Sequence, residues 1–198
     1  MRKVNVILLL TCVLCFNFYF HGNQFSNNEQ DGKDARNIEP LLSDIFVDSY
    51  RVPGINVSVP LDRIVKIGLL SDLNVIWGDH AWKGLLLAAR EINELGGILI
   101  NGTQYYIGLV RENTKELTSR VTSEAENATN YMIQNHDPHF ITGGISDEPF
   151  HTYLEIIMDH EIPFISTTSA NDITLCQNVL DDYERYKYFF RITPGNWT

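Results

Sequence analysis

The sequence is short of cysteine, of positive charge and of long apolar runs. Three cysteines in 198 residues cannot build a disulfide scaffold. Two of them, Cys12 and Cys15, lie in an N-terminal apolar run, which leaves Cys176 alone in the rest of the chain. Fifteen Lys+Arg against 25 Asp+Glu give a net charge of −10. Nucleic acid is therefore not an expected partner, because binding it takes a basic surface that displaces counterions. Only one stretch is apolar enough to enter a membrane, so a polytopic channel or transporter pore is excluded. No GxxxxGK[ST] loop occurs, and no glycine-rich dinucleotide fingerprint follows a strand pattern, so no cofactor is expected. What is present is a globular share of hydrophobic residues, 44%.

The apolar run is Val4–Phe20, preceded by Arg2 and Lys3. A basic start followed by an uncharged apolar stretch has the form of a secretory signal, so residues 1–20 are read as a signal peptide or signal anchor. Phe20-His21-Gly22 is a poor cleavage site, which keeps an uncleaved membrane anchor open. Residues 21–61 form a polar tether, rich in Asn, Gln, Asp and Gly over 21–40. Its end, 41–60, carries Leu41, Leu42, Ile45, Phe46 and Val47 and reads as a short docking segment interrupted by Pro53-Gly54 and Pro60.

Residues 62–198 read as one α/β unit with most of the acidity, 10 Lys+Arg against 19 Asp+Glu. Apolar runs suited to buried strands occur at Ile64–Leu70, Gln104–Val110, Pro138–Gly143, Ile162–Ser166 and Tyr188–Ile192. Between the first four lie helical spacings over Asp79–Leu95, Glu116–Gln134 and Pro149–His160. Gly96-Gly97 suits a helix C-cap, and Asn101-Gly102 suits a turn. Alternating strands and helices predict a three-layer Rossmann-like parallel sheet with right-handed crossovers, preceded by the hydrophobic N-terminal helix and flexible tether. Ligands on such sheets bind beyond the carboxyl ends of the strands, so the loops there hold the candidate residues.

The loop after the first strand ends in Trp77, a flat apolar wall at a helix entrance or else a packed core side chain. The loop after the third strand is GGISDEP, where Ser146 or Asp147 can cap the next helix. Free N–H groups at that helix start suit a carboxylate, although Asp147 and Glu148 already satisfy its dipole. The loop after the fourth strand places Thr168, Ser169 and Ala170 together, hydroxyls that can donate to a carboxylate or accept from an ammonium.

These loops, in this order, resemble the type I periplasmic-binding-protein fold, and within it the branched-chain amino-acid-binding proteins of ABC importers. The carriers are KIGLLSDL, WGDHAWKGLLLAAREINELGGI, NG, YYIGLV, FITGGISDEPFHTYLEIIMDHEIPFISTTSAN and YFFRITPGN, which together run from about Ile64 to Asn196. The resemblance implies a ligand held between two lobes that close on it. The first lobe would contribute Trp77, Ser146 and Asp147, and Thr168, Ser169 and Ala170. Asp147 stands where the family usually has serine, Glu112 replaces a frequent aspartate, and no second cysteine matches a strand-three-loop disulfide. Thr193-Pro194-Gly195 falls where the family crosses to its second lobe, so the chain reads as the first lobe with the second absent.

The expected function is that of an extracytoplasmic solute-binding protein fragment. Its partners are an amino acid or similar small polar ligand and an ABC permease, with the membrane reached through the N-terminal segment. The alternative is the ligand-sensing ectodomain of a membrane receptor. Third comes a metal-dependent enzyme, suggested by His136, Asp137, His139 and His151. His136-x-x-His139 sits at the opposite edge from the ligand loops, and no Ser-His-Asp or Cys-His arrangement is readable, so neither a catalytic residue nor a metal is expected. Sequons occur at Asn56, Asn101, Asn127 and Asn196; 17 Asn and 23 Ser+Thr predict roughly two by chance.

Overall fold

The computed structural model describes residues 44–167 and 172–192, with backbone alone for 172–175. The expected signal segment 1–20, the tether to residue 43, the loop 168–171 and residues 193–198 lie outside the described residues.

The central strand is β3, Ile64–Ser71, buried along its length except at Lys66. That pattern is what a strand covered on both faces requires. Its odd residues, Val65, Ile67 and Leu69, pack with Ile107 and Leu109 against Trp82 and Ala89 of α1, Ile76–Glu94. On the other face Gly68 admits Met132 of α2, Thr122–His136; a Cβ there would lie 2.3 Å from the Met132 sulfur. Leu70 joins the same face, with Ile141, Phe150, Tyr153 and Phe164. Phe150, Tyr153 and Leu154 come from α3, Asp147–Asp159.

β3 pairs in parallel with β5, Thr103–Asn113, on one side and β6, Phe140–Gly143, on the other. β7, Phe164–Ser166, and β8, Phe189–Arg191, continue the parallel run beyond β6. Between them the chain forms α4, Asp172–Asp181, and the short α5, Tyr183–Tyr186. In chain order the parallel strands therefore lie 2-1-3-4-5 across the sheet, and the progression of the chain across it reverses between β3 and β6.

Four departures from the sequence expectations have identifiable causes. The sheet is mixed. β1, Ile45–Val47, and β2, Tyr50–Val52, form a hairpin that adds antiparallel to β5 through Arg51↔Leu109. The docking segment expected there is thus part of the sheet, and three-residue strands are too short to show a period. Asp44 fastens the hairpin, pairing with Arg51 at 2.5 Å and with Arg90 of α1 at 3.3 Å. A third antiparallel piece, β4, Ile98–Ile100, folds onto β5 through the tight turn Asn101-Gly102, both residues having positive φ (52° and 79°). Finally, the second helix begins at Thr122, not Glu116. Lys115 and Arg120 take left-handed φ of 49° and 56°, and Glu116 is drawn inward. Cys176 lies in α4 as an exposed free thiol.

Buried Asn93, near the end of α1, locks the layers together. Its amide donates to the carbonyls of Pro53 and Ile107 at 2.8 and 2.9 Å, and its carbonyl accepts the Ile107 N–H at 2.8 Å.

Candidate functional site

The reversal of strand order between β3 and β6 opens a crevice at their carboxyl ends, the position where doubly wound sheets bind ligands. Leu70 is in register with Gly143, so the loops that follow, 72–75 and 144–146, lie side by side. Gly78 lets α1 start directly against the first loop; a Cβ there would sit 2.0 Å from the Asp72 carbonyl oxygen.

Two buried carboxylates wire these loops to the one after β5. Asp72 accepts the N–H groups of Leu117 and Thr118 and the Thr118 hydroxyl, at 2.9, 2.7 and 2.9 Å, and its other oxygen accepts the Asn74 N–H at 3.1 Å. Glu116 accepts the N–H groups of Ile145 and Ser146 at 3.1 and 3.0 Å and the Thr114 hydroxyl at 3.0 Å. Both side chains are fully buried, so they shape the edge from beneath. Burial acts on each by raising its pKa, with opposite net results. At Asp72 the donors, Thr118 first and then Asn74 and Leu117, outweigh burial and hold the carboxyl below its ordinary range. At Glu116 burial wins over the Ser146, Ile145 and Thr114 donors, and the neighbouring Asp72 charge adds to it, so its pKa is raised.

The sign of the Glu116 effect is testable. A carboxyl whose pKa is raised on folding adds stability as the pH falls through its folded value, and that stability is lost as the pH rises through the same window. The stability advantage of the wild-type chain over Glu116→Gln should therefore shrink as the pH rises above the ordinary glutamate value of 4.5, followed by urea unfolding. A difference that grows over that range would contradict the assignment.

Trp77 occupies the first turn of α1 and is 62% exposed, as is Ile76 beside it. It is not a core side chain. Ser146 is the N-cap residue of α3, half-buried, and its hydroxyl makes no capping hydrogen bond. Asp147 opens the helix and is exposed. The adjacency of β3 and β6 brings these two groups of residues to one edge. Thr168, Ser169 and Ala170 lie outside the described residues. The sequence reading missed Asp72 and Glu116, which follow no period. It also missed Ser71 and Ser166, the last residues of β3 and β7, whose buried hydroxyls have no partner among the described residues.

Two of the histidines suggested for a metal have other partners, His136 and His139, the latter accepting the Lys66 N–H at 3.2 Å through Nδ1, while His151 Nε2 is buried with none among the described residues. His136 links the Ser49 hydroxyl (2.8 Å, through Nδ1) to Glu112 (3.1 Å, through Nε2), a line of three side chains that joins the hairpin turn to the end of α2. Asp137 pairs with Lys66 at 2.6 Å. Among the described residues no group of three or more His, Cys, Asp or Glu is placed to hold a metal.

The architecture is that of the type I periplasmic binding proteins. It superposes on a leucine-binding protein from Thermotoga maritima (TM-score 0.50, 21% identity, 67% of this chain and 33% of that one). It also superposes on the branched-chain amino-acid transporter substrate-binding protein LivJ from Streptococcus pneumoniae, solved with isoleucine (0.53, 23%, 67% and 34%). A type 1 periplasmic binding protein from Bordetella pertussis gives 0.52 at 19% identity, over 67% and 34%. The chain thus spans about a third of the length of the solved proteins it matches. Neither a family model nor a curated protein matches the sequence.

Proposed function

We propose that the loops at the carboxyl ends of β3, β6 and β7 form one wall of a cleft for an amino acid or similar small polar solute. The setting is an extracytoplasmic binding protein that serves an ABC-type permease. The observation that carries this reading is the exposed Trp77 at the point where strand order reverses, in a fold shared with solved amino-acid-binding proteins. A large apolar side chain at a crevice mouth gains most by covering the apolar part of a ligand. Asp147 offers a partner for an ammonium group, Ser146 a hydroxyl, and Thr168, Ser169 and Ala170 the remaining polar contacts. Residues 1–20 supply export. Closure of a second lobe over this wall would follow from contacts that only the closed state makes. The poor cleavage site at Phe20-His21-Gly22 favours a second reading, an anchored receptor ectodomain with the same wall.

One wall binds weakly, so a Kd weaker than about 1 mM, worth no more than about 4 kcal/mol, is expected for this chain. Titration of the labelled chain with the common L-amino acids, followed by amide and indole NMR shifts, should move signals of Leu73–Asp79 and Gly143–Asp147. Trp77→Ala should abolish those shifts while changing stability by less than about 0.5 kcal/mol. Shifts confined to the opposite edge of the sheet, or none with any amino acid, would remove this ligand class.

A further inference from the structure

We propose that Asn56, Asn101 and Asn127 carry N-linked glycans, an inference that rests on the second reading above, an exported and anchored receptor ectodomain. Each begins an Asn-x-Ser/Thr triplet whose middle residue is not proline: Asn56-Val57-Ser58, Asn101-Gly102-Thr103 and Asn127-Ala128-Thr129. A glycan is bulky and hydrated, so the folded protein can carry one only where the asparagine faces solvent. All three are exposed. Exposure is not general among the asparagines of this chain. Of the six others in the described residues, Asn93 is buried, and Asn113, Asn130 and Asn178 are half-buried.

Position supports the same assignment. Asn101 is the first residue of the two-residue turn joining β4 to β5, and beside it Gly102 has open space where a side chain would start. Asn56 follows β2, which runs antiparallel to β5 and so leaves the sheet at the amino ends of the parallel strands. Asn127 sits on α2 two residues from each of Ala125 and Thr129, which are both buried. At 100° per residue that places it on the opposite, outer side of the helix. None of the three lies in the loops 72–78 or 144–147. Three sugar chains would therefore clothe the amino edge and the outer face of α2, and leave the carboxyl edge bare.

The reaction is transfer from a lipid-pyrophosphate-linked oligosaccharide, catalysed in the lumen of the secretory pathway. The asparagine amide nitrogen forms a bond to the anomeric carbon of the first sugar and loses a proton, and the bond from that carbon to the pyrophosphate oxygen breaks. It takes place on the emerging chain, so the hydrogen bond that the Thr129 hydroxyl makes to the Ala125 carbonyl after folding is no obstacle.

The test is translation of the full chain in vitro with endoplasmic-reticulum microsomes, read by protease protection and by gel mobility before and after enzymatic deglycosylation. An Asn196→Gln background removes the fourth sequon. The expected result is a protected chain with three mobility steps that collapse on deglycosylation, each of Asn56→Gln, Asn101→Gln and Asn127→Gln removing one. A protected chain without steps overturns the glycan proposal and leaves export standing. An unprotected chain overturns the export reading, and this proposal with it. A variant that removes no step overturns the assignment at that asparagine.

Discussion

Gly143→Ala is expected to cost about 4 kcal/mol or more, the largest effect of any single substitution considered for this chain. Gly143 ends β6 with φ 146°, in the half of backbone space that side chains avoid. The obstacle is backbone as well as torsion. A Cβ would stand 1.9 Å from the Leu70 carbonyl oxygen and 2.9 Å from its carbon, and Leu70 is the ladder partner of Gly143 on the central strand. Neither strand can give way without breaking the pairing that aligns the loops after β3 and β6. A folded domain has only about 5–15 kcal/mol in reserve, so this variant should show a large drop in urea midpoint. Gly84→Ala is the control. Gly84 lies inside α1 with no atom within 4 Å of a new Cβ, and alanine there should stabilise by about 0.5–1 kcal/mol. A Gly143→Ala loss below about 1 kcal/mol would mean that the β3–β6 junction is looser than described.

Asp72→Ala should follow closely, at about 3–4 kcal/mol, for a different reason. The alanine leaves the N–H groups of Asn74, Leu117 and Thr118 and the Thr118 hydroxyl without their acceptor, around a side chain that is fully buried. The pH dependence separates this loss from simple cavity formation. The folded-state carboxyl titrates below its ordinary value of 3.8, so its stabilisation is present above that pH and is lost as the pH falls through the folded value. The gap between wild type and Asp72→Ala should therefore narrow in strong acid. A gap of constant size from neutral pH to about pH 2 would show that the donors were not held by the carboxylate charge.

The two substitutions also mark where the sequence could and could not be read. The five parallel strands and three long helices announced themselves, because buried strands in a doubly wound sheet are continuous apolar runs and the helices between them repeat every three or four residues. The Gly96-Gly97 stop held as expected, with the Gly97 N–H bonded back to the Ile92 carbonyl. The hairpin Ile45–Val52 was hidden because Phe46 faces solvent at 69% exposure and the strands are three residues long. At the candidate site, Trp77 could be placed at a helix entrance from its spacing, but its exposure could not, since an aromatic there is equally at home inside. Asp72 and Glu116 were illegible for a deeper reason. A polar residue after a strand normally reads as solvated loop, and only the three-dimensional meeting of backbone N–H groups from distant segments gives it a buried role.

The hairpin has a further meaning for how this protein behaves among copies of itself. β5 is eleven residues long and contributes buried Ile107, Leu109 and Val110 to the core. Bare, it would be the outermost strand of the parallel run, a long unpaired ladder of the kind that recruits strands from neighbouring molecules. β2 covers that ladder around Leu109, and β1 then closes the sheet with only three residues. A chain shortened to begin at residue 62 would strip away both strands. It would also lose buried Tyr50 and Val52 and the Pro53 carbonyl that Asn93 holds. Residues 45–52 are thus a guard against edge-to-edge association, and a shortened chain keeps that guard only if it begins ahead of Asp44.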